Sequence, residues 1–145
     1  MSTSRALISV AVRSIAAVED EVTLVQYRAL VLLASRGGQN VSELADAVGV
    51  HPSTATRLCD RLVTKGLVDR VASSDSRREI KVTVTAAGRN LVRTVTTRRR
   101  KEINRILQQL SAPQRKQLRG AFHAFAGAAG ELELPDDAWK LGWTS

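Results

Sequence analysis

Cysteine, aromatic residues and long apolar runs are all scarce in this chain of 145 residues. The single cysteine, Cys59, excludes a disulfide within the chain. Aromatic residues make up only 3% of the sequence while hydrophobic residues make up 43%, so we expect an aliphatic core. No apolar run approaches the roughly 20 residues that a membrane-spanning helix needs. Because the first twenty residues also lack the apolar stretch of a signal peptide, we expect a cytoplasmic protein.

The patterns of catalytic and metal sites are missing as well. His51 and His123 lie far apart in the sequence and have no clustered carboxylates beside them, so we expect no metal site. The sequence shows neither a glycine-rich phosphate loop nor a Ser-His-Asp order, so we expect neither an enzyme nor a bound cofactor.

Basic side chains are what the chain has in excess. It contains 22 Lys and Arg against 14 Asp and Glu, which gives a net charge of +8. An excess of this size favours an anionic partner, and nucleic acid is the first candidate. Ten basic residues and one acidic residue lie between positions 86 and 120. Arg98, Arg99 and Arg100 point in three directions around a helix, which favours a solvated face with long-range attraction to DNA.

Apolar residues recur at helical spacing in several segments, and a capping residue precedes each of these. The predicted caps are Ser4, Thr23, Ser42, Thr85 and Ser111, the last within a capping box. Glycines at positions 37, 49 and 66 end the second, third and fourth helices. The sequence therefore predicts two helices, then two short ones, and later a long helix followed by a last one.

The two short helices meet at a tight turn, which is typical of a helix-turn-helix. Pro52 suits the first turn of the second short helix, where its missing N–H costs nothing. An apolar stripe runs along one side of this helix, and hydroxyl groups and arginines lie on the other. The residues of the stripe are Ala55, Leu58, Cys59 and Leu62.

A β-hairpin is predicted directly after the helix-turn-helix. Apolar residues at positions 80, 82 and 84 alternate with Lys81 and Thr83, which is the period of a strand. The segment LVDRV supplies the partner strand, and the polar residues ASSDSRR form the turn between them. The sequence thus predicts a mainly α fold with one small hairpin.

With these elements in place, the chain resembles the MarR family of winged helix-turn-helix transcription regulators. The matching segments are TLVQYRALVLLASRGG, VSELADAVGVHPSTATRLCDRLVTKGLVDR and DSRREIKVTVTAAG, roughly residues 23 to 90. The resemblance implies a winged helix-turn-helix region at 23–85, dimerisation helices at 4–20 and 86–130, and a tail at 131–145. It also implies a homodimer that acts as a repressor, less often as an activator, under the control of a small molecule or an oxidant.

The resemblance and the helical pattern together predict the residues that contact DNA. The second short helix would enter the major groove, where its first two turns meet base edges. The residues expected there are Ser53, Thr54, Thr56 and Arg57, and those expected at phosphates are Arg61 and Lys65. The alternatives are that Ser53 is the helix cap and that Arg57 is an ordinary surface arginine.

The hairpin, or wing, would reach the adjacent minor groove with Arg77 and Arg78. Asp75 lies two residues earlier and can hold the Arg77 guanidinium by a charge-assisted pair, so that the arginine is aimed before DNA arrives. Alternatively, Asp75 only caps the turn. The family often has a basic residue where this chain has Ser76, and Arg78 can compensate for that difference.

The remaining predictions concern the dimer, the thiol, the tail and the effector. The dimer interface is expected to contain Ile8, Ala11, Val12, Ile15, Leu118, Phe122 and Phe125. Cys59 is expected to be a buried, inert thiol, against the alternative of a redox sensor. The tail carries Trp139 and Trp143 and either packs, for example on the partner protomer, or is disordered.

The predicted function is a sequence-specific transcription regulator, most often a repressor, acting as a homodimer on a palindromic operator. The resemblance adds a small effector, and the basic run allows an anionic one held between the dimer helices and the winged region. The alternative is a non-specific architectural DNA-binding protein, which would explain the charge without the hydroxyl-rich helix face.

Overall fold

The computed structural model describes residues 2–18, 20–73 and 79–129 of the chain. The elements are α1 (Ser2–Ile15), a 3-10 turn (Ala16–Val18), α2 (Leu24–Arg36), α3 (Val41–Val48), α4 (Pro52–Thr64), β1 (Val68–Ala72), β2 (Ile80–Val84), α5 (Ala86–Leu107) and α6 (Ala112–Ala128). The prediction of a mainly helical chain with one hairpin after two short helices is confirmed.

Local hydrogen bonds explain where the helices begin. Thr23 and Ser111 each form a capping box, as α2 and α6 open. Thr85 caps α5, since its Oγ1 accepts a hydrogen bond from the Gly88 backbone N–H at 3.1 Å. The prediction of Ser42 as the cap of α3 is wrong. Asn40 caps this helix instead, because its Oδ1 accepts from the Glu43 N–H at 2.9 Å.

Two glycines are required by the backbone geometry that surrounds them. Gly49 ends α3 in the left-handed region, with a φ of 78°, and its N–H donates to the Ala45 carbonyl at 2.9 Å. Gly88 lies so close to the chain before β1 that an added Cβ would be 2.2 Å from the Leu67 carbonyl oxygen. The first glycine makes the turn between the short helices, and the second lets α5 pack against the base of the hairpin.

The hairpin is antiparallel, and its register pairs Val68 with Val84, Arg70 with Val82 and Ala72 with Ile80. The Ser73 N–H closes it with a 2.8 Å hydrogen bond to the Glu79 carbonyl. Ahead of α3, the backbones of Gln39 and Val82 also pair: the Gln39 N–H donates to the Val82 carbonyl at 3.1 Å, and the Val82 N–H donates to the Gln39 carbonyl at 2.7 Å. The helix-turn-helix and the hairpin are therefore joined through the backbone.

Residues 15–95 form one compact unit, called here the winged unit. Its core is aliphatic, as predicted, and draws on α2, α3, α4, both strands and the start of α5. The largest fully buried side chains of this core are Leu30, Leu33, Leu44, Leu62, Val22, Val68, Val82, Val95 and Cys59.

The second compact unit, called here the terminal unit, is described over residues 2–14 and 96–129. Polar contacts join the end of α1 to α5: Arg13 donates to Glu102 at 2.8 Å, and Arg99 donates to the Ser14 hydroxyl at 3.1 Å. Helix α6 has no buried residue. In the described part of the chain, no helix is both long enough and apolar enough to cross a membrane.

Candidate nucleic-acid interface

The helix-turn-helix is formed by α3, α4 and the residues between them. His51 is the N-cap of α4: its Nδ1 accepts a hydrogen bond from the Ser53 N–H at 3.3 Å and lies 2.9 Å from the Ser53 hydroxyl. Pro52 is the first helical residue, as predicted. The alternative that Ser53 caps the helix is therefore wrong, because the imidazole of His51 takes that place.

Helix α4 separates an apolar back from a polar front. Ala55, Leu58, Cys59 and Leu62 are buried, which confirms the predicted stripe. The residues assigned to base edges are all exposed: Ser53, Thr54, Thr56 and Arg57. The Thr56 hydroxyl donates to the Pro52 carbonyl at 3.0 Å, which leaves its oxygen to act as an acceptor. The front of this helix can thus meet a ligand without disturbing the core.

The basic residues of α4 differ in how they are held. The guanidinium groups of Arg57 and Arg61 are exposed and make no hydrogen bond or ion pair with any residue that the structure describes. Lys65, which follows the helix, donates its Nζ hydrogen to the backbone carbonyl of Glu21. The two arginines are therefore available to an anion, whereas Lys65 already ties the end of α4 to the chain ahead of α2.

An ion pair that the sequence reasoning missed joins α4 to the hairpin. The Arg70 Nη2 of β1 lies 2.5 Å from the Asp60 Oδ1 of α4, and both side chains are partly exposed. In the sequence, Asp60 belongs to the polar side of the second short helix and Arg70 to the strand LVDRV. Nothing in their spacing of ten residues indicates that they meet, because the contact depends on how the hairpin folds back.

Strand β2 and the residue before it are held at the start of α3 as well. The Asn40 Nδ2 donates to the Glu79 Oε1 at 3.1 Å, beside the backbone bridge of Gln39 with Val82. The predicted wing residues Asp75, Arg77 and Arg78 lie outside the described residues, as does Ser76. The described contacts fix both strands that lead to these residues.

Cys59 is fully buried behind the polar face, as predicted. Burial raises the pKa of its thiol above the ordinary value of 9.0; the positive charge of Arg70 lowers it, and the carboxylate of Asp60 raises it again. The thiol is therefore protonated at neutral pH, which is the unreactive form. Among the described residues, no group of three or more His, Cys, Asp or Glu is placed to hold a metal ion.

The residues assigned to a dimer interface fall into two groups. Most lie in the terminal unit, where Ile8 is 59% exposed, Val12 60% and Phe125 72%. Phe122 is also exposed, while Ala11 and Leu118 are half-buried. Ile15 differs, because it is buried in the core of the winged unit and so has a role within its own chain.

Comparison with known proteins places this architecture among known regulators. The model of the MarR family matches residues 22–80. The crystal structure of Rv1404 from Mycobacterium tuberculosis is 42% identical, with a TM-score of 0.85, and the alignment covers 91% of this chain and 90% of that one.

Two curated relatives are each 32% identical over 97 residues, 67% of this chain. The transcriptional repressor Rv2887 of Mycobacterium tuberculosis is matched over 70% of its length. The transcriptional regulator YfiV of Bacillus subtilis is matched over 60% of its length, so this chain spans less than two thirds of that relative. The structure of Rv2887 in complex with salicylic acid has a TM-score of 0.63, at 26% identity over 84% of this chain and 89% of that one.

Proposed function

Because this chain belongs to the MarR family, we propose that it is a sequence-specific DNA-binding transcription regulator that acts as a repressor. One observation carries the proposal. Helix α4 presents exposed hydroxyls and two arginines whose guanidinium groups are unpaired among the described residues, on the side opposite a buried apolar stripe. A helix whose first two turns offer exposed polar side chains suits the major groove of B-DNA.

Within the proposal, each residue of α4 has its own role. Arg57 forks onto a guanine, since a guanidinium can donate to both O6 and N7 of that base. Ser53, Thr54 and Thr56 contact base edges of the first two turns, and Arg61 meets a phosphate. Base contacts carry the specificity, while the phosphate contact sets register and adds affinity that depends on salt.

The wing is proposed to read the neighbouring minor groove. Arg77 enters the groove and Arg78 lies beside it, while Asp75 holds the Arg77 guanidinium in place before binding. If the pair acts as one device, Asp75→Ala and Arg77→Ala weaken DNA binding by non-additive amounts, and the double variant binds no worse than Arg77→Ala. Fully additive losses in a binding titration would show that the two residues act separately.

A homodimer is proposed from the exposed apolar side chains of the terminal unit. Ile8, Val12 and Phe125 lie on α1 and α6 and are each more than half exposed. Apolar groups of this size gain free energy when a second copy covers them. A twofold dimer reads two half-sites about one helical turn apart, which makes the operator palindromic.

The proposed effector is a small anionic molecule. The support is the salicylic acid in the structure of Rv2887 and the excess of basic residues in α5 and α6 of this chain. Binding of such a molecule would change the affinity of the protein for its operator. The chemical identity of the effector is best sought among compounds acted on by the products of the neighbouring genes.

The first test recovers DNA fragments that the purified protein retains from its own genome. We expect a few fragments that share an inverted repeat. Arg57→Ala should then lose about 1–3 kcal/mol of binding free energy on the recovered operator and accept substitutions at one base position. Arg36→Ala is the matched control, because Arg36 is an exposed arginine of the same unit outside the helix-turn-helix.

Equal losses for Arg57→Ala on operator and scrambled DNA would contradict base reading. A non-specific architectural DNA-binding protein is the second candidate, favoured by the ten basic residues between positions 86 and 120. Both candidates show salt-dependent affinity, so only the ratio of specific to non-specific binding separates them. An even recovery of fragments across the genome would support this second function.

A further inference from the structure

We propose that Asp60 is a positioning residue, which holds β1 against α4 through Arg70 and so sets the angle at which the wing meets DNA. The proposal rests on the proposed function, since it assigns a role within the same interface. Asp60 lies on the polar side of α4, where a carboxylate would repel phosphates unless a cation neutralises it.

The geometry of the hairpin shows what the pair holds. Of the five residues of β1, only Val68 is buried, and the four that follow are exposed. The strand therefore leaves the core after its first residue. Arg70 lies at the middle of the strand, opposite Val82, and its Nη2 reaches the Asp60 Oδ1 at 2.5 Å. The pair is thus a contact to α4 beyond the buried base of the strand.

The other strand has its own attachment on a different element. β2 is joined to the chain ahead of α3 by the backbone bridge of Gln39 with Val82, and the Glu79 side chain is joined to Asn40. The hairpin is consequently fixed on one side to the start of α3 and on the other side to α4. Loss of the Asp60–Arg70 pair frees only the second side, so the hairpin can tilt without unfolding.

Because the Asp60 and Arg70 side chains are partly exposed, their pair is expected to orient the hairpin more than it stabilises the fold. The side chains of Arg70 and Asp60 are 39% and 52% exposed, and ion pairs of this kind add little to the free energy of folding. Their charge-assisted hydrogen bond is directional, however, and holds a long arginine in one orientation. Removal of the pair should therefore change DNA binding more than it changes thermal unfolding.

An alternative role for Arg70 predicts that Asp60→Asn changes DNA affinity in the opposite direction. If Arg70 contacted a phosphate and Asp60 only held it back, Asp60→Asn would release the arginine and strengthen binding. If Asp60 positions the hairpin, Asp60→Asn weakens binding even though the protein loses a negative charge. Asp69→Asn is the matched control, because it changes charge equally at a neighbouring exposed position of β1 that is not in the pair.

The experiment measures operator affinity for Asp60→Asn, Arg70→Gln, their combination, and the reversed pair Asp60→Arg with Arg70→Asp. We expect each single variant to lose about fivefold in affinity. The combination should lose no more than either single variant, and the reversed pair should regain most of the loss. Stronger binding by Asp60→Asn than by Asp69→Asn, or additive losses, would overturn the proposal.

A second measurement needs no DNA. Amide hydrogen exchange of β1 should be faster in Asp60→Asn than in Asp69→Asn, while exchange in the core of α2 stays the same. Equal exchange in β1 would overturn the positioning role whatever the protein binds. Faster exchange in a protein that retains no specific DNA would leave the hairpin contact supported and refute the regulator function alone.

Discussion

The two compact units of this protein use similar amphipathic helices with different results. In the winged unit, apolar stripes from α2, α3 and α4 close on one another and on the hairpin, which buries residues such as Leu30, Leu44 and Leu62 completely. In the described part of the terminal unit, only Val10 and Ser14 are buried, and Phe125 of α6 is 72% exposed. The winged unit therefore encloses an apolar core, although Leu24 and Ile80 on its surface are 62% and 58% exposed, whereas the described part of the terminal unit encloses no such core.

This difference shows that an apolar stripe predicts that a helix face is buried, but does not predict which surface covers it. A periodic pattern is the same whether the covering surface comes from the same chain or from a second copy. The winged unit carries the polar side of α4 that we propose to contact DNA, and a closed core behind that side keeps its shape. In the described part of the terminal unit, several large apolar side chains are exposed, as expected for the self-association that we propose.

The largest expected effect comes from the closed core. Leu62→Ala removes a fully buried side chain on the back of α4, and we expect a loss of about 2–5 kcal/mol in the free energy of unfolding. Chemical denaturation followed by circular dichroism measures this loss. Val63→Ala is the control, since Val63 is the next residue of the same helix and is 37% exposed. Similar losses for both variants would contradict a core closed within this unit.

The next effect concerns the open surface. Replacing Phe122 and Phe125 together by alanine should weaken self-association by about 2 kcal/mol, roughly 30-fold in the dissociation constant. Sedimentation equilibrium measures this change directly. Lys116→Ala is the control, because Lys116 is an exposed residue on the other side of α6. A double variant that associates as tightly as the wild type would show that another surface joins the protomers.

Much of the winged unit was predictable from the sequence because its signals are local. The stripe of α4, the place of Pro52 and the alternation of β2 each follow from spacing within a few residues. The cap of α3 was misassigned because two capping residues, Asn40 and Ser42, stand two positions apart, and only the backbone geometry decides between them. The sequence does not identify His51 as the cap of α4, because that role depends on the ring reaching the Ser53 N–H.

The contacts that organise the interface were not predictable for a different reason. The pair of Asp60 with Arg70 and the bond of Lys65 to the Glu21 carbonyl join residues that are distant in sequence. Such contacts depend on the packing of whole elements, which no local period records. For Lys65 this matters to function, since an ammonium held at the Glu21 carbonyl has two N–H groups left with which to meet a phosphate.

The smallest expected effect concerns the pH dependence of stability, and it tests how well the apolar side of α4 is buried at Cys59. Burial raises the pKa of the Cys59 thiol, so the folded state favours the neutral form. The contribution of the neutral thiol to the free energy of unfolding is fully present below the thiol pKa of the unfolded chain. It is lost as the pH rises through the thiol pKa of the folded protein. One pH unit above the unfolded pKa, the loss is at most about 1.4 kcal/mol.

Cys59→Ala removes this titration, so its stability should decline less steeply between about pH 8 and pH 10 than that of the wild type. Only the two slopes are compared, because the truncation also leaves a small cavity. In parallel, a thiol reagent should modify wild-type Cys59 no faster than the unit opens, since the side chain is fully buried. Rapid modification of the folded protein would mean that the back of α4 opens readily, and the contrast between a closed winged unit and an open terminal one would no longer hold.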